Sequence, residues 1–179
     1  MNQFSLRDKK VVMIIAPKDF RDEEYFEPKR ILTDLGAEVL TASTDYIEAR
    51  GVLGGKVSVD LTIIELEVAT CDAIVFVGGP GAKIFFNDPI ALKIASEASD
   101  LGKVLGAICF GPMILANAGV LNHKRATAFE SLNGKFQELG IDYVSEGLVQ
   151  DGKIVTAQSP KQATEFGETI AEMLLSPKD

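Results

Sequence analysis

The order of apolar runs, glycine turns and helical segments predicts a single three-layer α/β domain with a mostly parallel central sheet. Three observations carry that prediction. Val11-Val12-Met13-Ile14-Ile15-Ala16, Ala73 to Val77 and Val104 to Ile108 are continuous apolar stretches, as parallel strands buried on both faces require. Segments with helical patterning separate them. The second and third runs end in sharp turns, Gly78-Gly79-Pro80-Gly81 and Cys109-Phe110-Gly111-Pro112.

Taken in order, residues 1–9 form an N-terminal tail and residues 10–175 one domain. After the first strand a helix spans about Glu24 to Leu35 and stops at Gly36. Pro28 fits that helix if it lies in the first turn. Glu38 to Ala42 is the second strand, and Tyr46 to Asp60, with Gly54-Gly55 at its middle, is a hairpin excursion. A helix from about Pro89 to Leu101 precedes the strand Val104 to Ile108, and another begins at Pro112. Arg125 to Phe129, Tyr143 to Val149 and Ile154 to Ala157 read as further strands. Gln150-Asp151-Gly152-Lys153 is a hairpin turn, and Lys161 to Leu174 the last helix.

Composition narrows the function. With 46% hydrophobic and 25% charged residues, the 179-residue chain has the balance of an ordinary globular protein. The net charge of −8 argues against nucleic acid, because the basic clusters Arg7-Asp8-Lys9-Lys10 and His123-Lys124-Arg125 are short. No apolar stretch has membrane-spanning length and Met1 to Asp8 lacks a signal-like apolar region, so a cytoplasmic address is expected. Cys71 and Cys109 form neither a disulfide framework nor a zinc spacing, and one histidine leaves no metal site in view. No cofactor is expected.

The chemistry gathers at Cys109. A buried strand, a tight turn carrying one thiol and a helix starting at Pro112 resemble a nucleophile elbow with cysteine in place of serine. A helix N-terminus favours the thiolate. Ligands of open α/β sheets bind at the carboxyl ends of the strands, near the point where strand order reverses. Three loops would converge there: Asp19 to Glu24, Gly78 to Gly81, and Cys109-Phe110. Asp22, Glu23 and Glu24 all suit a helix N-terminus and are not distinguished by that argument. Cys71, at the opposite end of its strand, reads as apolar filler. Phe85-Phe86 fits either an interface or a short buried helix.

Phe20-Arg21-Asp22-Glu23-Glu24, Ile74 to Gly79, and Ala107 to Pro112 followed by Leu115-Ala116-Asn117-Ala118-Gly119 together resemble the ThiJ/PfpI superfamily from Lys10 to Leu175. The resemblance implies a flavodoxin-like, class I glutamine-amidotransferase-like sandwich that self-associates as a dimer or higher oligomer. It implies Cys109 as nucleophile, a protonated Glu24 hydrogen-bonded to it, and the Gly79 and Phe110 backbones as an oxyanion hole, with Gly78, Gly111 and Phe129 in the pocket. It also implies a small reactive carbonyl or glycated substrate.

Two departures separate the chain from the peptidase branch, which carries a histidine directly after the cysteine and an acidic residue after the Gly-Gly. Here Phe110 and Lys83 stand at those positions. About ten helical residues at 1.5 Å each would put His123 roughly 15 Å from the thiol. The stretch Ala126 to Phe129, where deglycase-type members often keep a histidine, has none. The leading expectation is a deglycase- or glyoxalase-like hydrolase or lyase. Its rival is a protective protein that senses oxidants through Cys109, and cysteine peptidase activity ranks last.

Overall fold

Alternation within the first strand fixes the layering. In the computed structural model, which describes residues 5–176, Val11, Met13 and Ile15 point into one apolar cluster and Val12 and Ile14 into another. Side chains of successive strand residues face opposite ways, so a strand apolar at every position must be covered on both sides.

The strands are β1 (Lys10–Ile14), β2 (Lys18–Phe20), β3 (Glu38–Ser43), β4 (Ala49–Gly51), β5 (Lys56–Val57), β6 (Leu61–Thr62), β7 (Ala73–Phe76), β8 (Val104–Ile108), β9 (Arg125–Ala126), β10 (Asp142–Tyr143), β11 (Leu148–Asp151) and β12 (Ile154–Ala157). The helices are α1 (Asp22–Asp34), α2 (Pro89–Asp100), α3 (Pro112–Asn117), α4 (Asn133–Glu138) and α5 (Ala163–Leu175). Seven strands form the main sheet in the order β11-β12-β8-β7-β1-β3-β6, parallel except for β11 against β12. Tyr25 and Leu32 of α1 and Phe166 and Ile170 of α5 bury one face, while α2, α3 and α4 cover the other. This is the expected α/β sandwich. The chain passes from β1 to β3 and then returns to β7 on the other side of β1, so strand order reverses between β1 and β7.

Several local expectations need correction. Leu6 is fully buried and its N–H donates to the Leu35 carbonyl at 2.8 Å, so the segment before β1 is anchored through Leu6 while Ser5, Arg7 and Asp8 are exposed; residues 1–4 of the expected tail lie outside the described residues. Pro28 sits inside α1, not in its first turn, and packs where Gly167 of α5 leaves room: a Cβ on Gly167 would stand 2.8 Å from Pro28 Cα. The apparent strand Arg125 to Phe129 is ordered as β only over Arg125–Ala126, because Phe129 turns away to bond the elbow. Tyr143 to Val149 divides into β10, which pairs β9, and β11, which joins the main sheet. The hairpin excursion is present as β4 and β5, with β2 added alongside.

Candidate active site

Cys109 follows the wholly buried β8 with φ of 61°, in the left-handed region where a side chain costs roughly 1–2 kcal/mol. Its own backbone bonds hold it there. The Cys109 N–H donates to Ala157 at 2.8 Å and its carbonyl accepts from Phe129 N–H at 2.8 Å. Gly111 is needed for the tight return, since a Cβ there would lie 2.5 Å from the Phe76 carbonyl. The elbow is therefore clamped between β12 on one side and the 127–129 segment on the other.

The three acids that the sequence left equivalent at the start of α1 go three different ways. Asp22 accepts from the Leu53 and Gly55 N–H groups, each at 2.7 Å, and anchors the β4–β5 hairpin. Glu23 pairs with Arg21 through two hydrogen bonds of 2.8 and 3.0 Å. Glu24 alone turns inward, fully buried, with Oε2 accepting from Gly78 N–H at 2.9 Å. Its carboxyl lies beside the Cys109 side chain, and each group shifts the titration of the other. Oε1 has no hydrogen-bond partner among the described residues. A buried oxygen with no donor is the one that can carry the proton itself, pointing an O–H at a soft acceptor such as sulfur.

The glycine loop closes the third side. Gly79 has φ of 95° and ψ of 163°, a conformation essentially restricted to glycine, and a Cβ would meet Arg21 N and the Asp19 carbonyl at 2.5 Å. This conformation turns the Gly79 N–H toward Cys109, and the Phe110 N–H approaches from the elbow. Gly78, Gly79, Glu24, Cys109, Phe110 and Gly111 are thus brought together at the carboxyl ends of β7 and β8.

Burial sets the electrostatics. It raises the Glu24 carboxyl from 4.5 to about 8, against the bonds with Cys109 and Gly78 that pull it down. Burial also pushes the Cys109 thiol up to about 12, with the charge of an ionised Glu24 second and the Gly79 and Phe110 N–H groups opposing. The pair titrates as one unit. Its first proton leaves the carboxyl near pH 8, and the thiol keeps the second. The helix-end depression expected for Cys109 is outweighed, because α3 has only six residues and desolvation dominates.

Phe110 joins an aromatic group beside the elbow. It lies half-buried between Phe129, 5.2 Å away, and Phe86, 6.4 Å away, with the Lys83 ammonium 5.0 Å above its ring. Phe86 follows the short 3₁₀ helix Pro80–Phe85, in which Phe85 is buried. The sequence offered no signal that Phe86, Phe110 and Phe129 would form one rim. Beyond Phe86 lies a cavity of about 350 Å³ lined by Met113, Asn117, Leu132 and Leu139. His123 is exposed in a turn with φ of 60°, after a helix shorter than the ten residues expected. Cys71 is buried with its thiol bonded to the Glu67 carbonyl, as filler should be.

A model of the DJ-1/PfpI family matches residues 9–173. A Pyrococcus abyssi protein named as a deglycase is 35% identical, covering 83% of this chain and 90% of its own. A Caenorhabditis elegans protein named as a glutathione-independent glyoxalase is 26% identical over 95% of this chain and 91% of its own. The crystal structure of a ThiJ/PfpI domain protein from Brachyspira murdochii superposes with a TM-score of 0.91 at 31% identity, covering 94% of this chain and 98% of that one.

Proposed function

The chain belongs to the DJ-1/PfpI family, and from that premise we propose that it is a cysteine-dependent enzyme acting on reactive carbonyls, with Cys109 as nucleophile and Glu24 as its proton partner. The observation that carries this reading is the buried Glu24 carboxyl set beside a thiol that faces two backbone N–H groups. Relatives named as deglycase and glyoxalase support the same substrate class.

With methylglyoxal and the singly protonated pair, the Cys109 sulfur bonds to the aldehyde carbon and the carbonyl oxygen takes the pair's remaining proton, giving a hemithioacetal. The Gly79 and Phe110 N–H groups bear the negative charge that develops on that oxygen. Glu24, now ionised, moves the hydrogen from the former aldehyde carbon to the neighbouring carbon, while the hydroxyl proton passes to that neighbour's oxygen. The result is a 2-hydroxyacyl thioester. Water cleaves the thioester to lactate and restores the thiol, so methylglyoxal plus water gives lactic acid with no external oxidant or reductant. Self-association and a cytoplasmic address belong to the same reading. Exposed Phe26, Val52 and Leu53 around the hairpin support the former, and sedimentation tests it.

The test is lactate formation from methylglyoxal by wild type, Cys109→Ala and Glu24→Gln. Activity lost in Cys109→Ala and cut at least a hundredfold in Glu24→Gln is expected. Equal activity in Cys109→Ala sinks the proposal.

One observation favours a second reading. The chain's single histidine, His123, is exposed in a turn, so oxidant sensing at a thiol beside a carboxylic acid needs nothing the site lacks. Mild peroxide followed by mass spectrometry would then give sulfinate at Cys109 and leave Cys71 unmodified. The same absence of an imidazole puts peptidase activity last.

A further inference from the structure

The cations around the site differ in how far they are committed. The Arg21 guanidinium is held by Glu23 at 2.8 Å, and Lys135, on the cavity beyond Phe86, lies 3.8 Å from Glu138. Lys83 has no such partner among the described residues; its ammonium rests over the Phe110 ring at 5.0 Å. That ring belongs to the residue whose N–H faces the Cys109 sulfur, and the neighbouring Phe129 bonds the Cys109 carbonyl. A cation–π contact steadies an ammonium without neutralising it. The rim of the site in a chain of net charge −8 therefore carries an uncompensated positive charge at Lys83.

We propose that Lys83 makes the site selective for carbonyl compounds that carry an anionic group, a carboxylate or phosphate, a few atoms from the reacting carbon. The proposal rests on the carbonyl reading above and deepens it. The aromatic rim of Phe86, Phe110 and Phe129 holds the apolar part of the substrate, and Lys83 holds its anion. The paired Arg21 and Lys135 have little charge left to offer. Lys83 is exposed, so its replacement leaves the buried Cys109–Glu24 pair and the fold intact.

Two measurements test this, one independent of turnover. In the first, Cys109 is alkylated with iodoacetate, an anion, and with neutral iodoacetamide. In both, the thiolate sulfur bonds to the CH2 carbon and iodide leaves, so only reagent charge differs. In a Cys71→Ser background, the iodoacetate-to-iodoacetamide rate ratio should fall about threefold to tenfold in Lys83→Met and further in Lys83→Glu. It should survive in Lys83→Arg, and in wild type it should collapse toward the Lys83→Met value in about 0.5 M salt. A ratio unchanged in both Lys83→Met and Lys83→Glu overturns the proposal.

In the second, kcat/KM is compared for methylglyoxal and for 4,5-dioxopentanoate, the same 2-oxoaldehyde bearing a carboxylate. Lys83→Met should lower the value for the anion about threefold to tenfold, through KM, and leave that for methylglyoxal within twofold. Equal loss for both substrates also overturns it. If wild type turns over neither compound while the alkylation ratio still shifts, the carbonyl reading fails and Lys83 stands as a selector of anionic thiol-reactive ligands.

Discussion

Glu24 and Gly78 meet at a hydrogen bond of 2.9 Å, and the contact is so close that Gly78 has no room for a side chain. A Cβ there would stand 2.5 Å from Glu24 Oε2 and 2.7 Å from Cys109 Cβ. The glycine is thus the spacer that lets acid and thiol lie side by side. Gly78→Ala should push the carboxyl away, cut Cys109 alkylation by iodoacetamide at least tenfold, and destabilise the fold by about 1–3 kcal/mol. A variant with wild-type alkylation would show that Glu24 tolerates displacement.

The coupled pair also sets how reactivity depends on pH. Burial raises Glu24 to about 8, so the pair is fully protonated at neutral pH and becomes nucleophilic as its first proton leaves. Cys109 alkylation should rise through an apparent pKa near 8. In Glu24→Gln the internal base is gone and burial still holds the thiol up, while the repelling carboxylate is also gone. Its profile should move above 8 and remain below 12. Alkylation rate against pH measures both, and an unshifted Glu24→Gln profile contradicts the coupling.

Folding stability should carry the same signature. Glu24 ionises at about 4.5 when unfolded and about 8 when folded, so between those values the native state binds more protons. Its contribution to stability is complete below about 4.5 and is lost as pH rises toward 8. The loss is at most about 1.4 kcal/mol per pH unit. Denaturation at pH 5 and pH 8 should find Glu24→Gln gaining on wild type as pH rises. A constant difference would mean that Glu24 is ionised in the native protein.

The core strands were legible because each is apolar at successive positions, which only a doubly covered sheet demands. The elbow was legible because Cys109, Gly111 and Pro112 each have a local reason to be where they are. The roles of Asp22, Glu23 and Glu24 were separable only by the resemblance. All three suit a helix start, and the difference lies in what stands 31 to 54 residues away: Leu53, Gly55 and Gly78. The strands over 125–129 and 143–149 were misjudged for a related reason. Their β-forming residues were read locally, whereas Phe129 is drawn off to the Cys109 carbonyl. The aromatic rim joins residues 86, 110 and 129, and no spacing along the chain announces it.

Asp22 supplies the remaining prediction, because its task is structural and differs from that of its neighbour two residues on. Its two oxygens accept the Leu53 and Gly55 N–H groups at 2.7 Å, and a Cβ on Gly51 or Gly55 would collide with the same carboxylate. Asp22→Ala should leave both donors without a protein acceptor and cost about 2 kcal/mol, with Asp22→Asn intermediate, since an amide offers one acceptor and one donor. Amide exchange locates the effect: Leu53 and Gly55 should exchange faster in Asp22→Ala, while Gly78, bonded to Glu24, keeps its protection. Cys109 alkylation should stay within about threefold of wild type, because the hairpin loosens and the acid–thiol pair does not. If Gly78 lost protection together with Leu53, hairpin and site would be one cooperative unit, and Asp22 would be a positioning residue for the thiol.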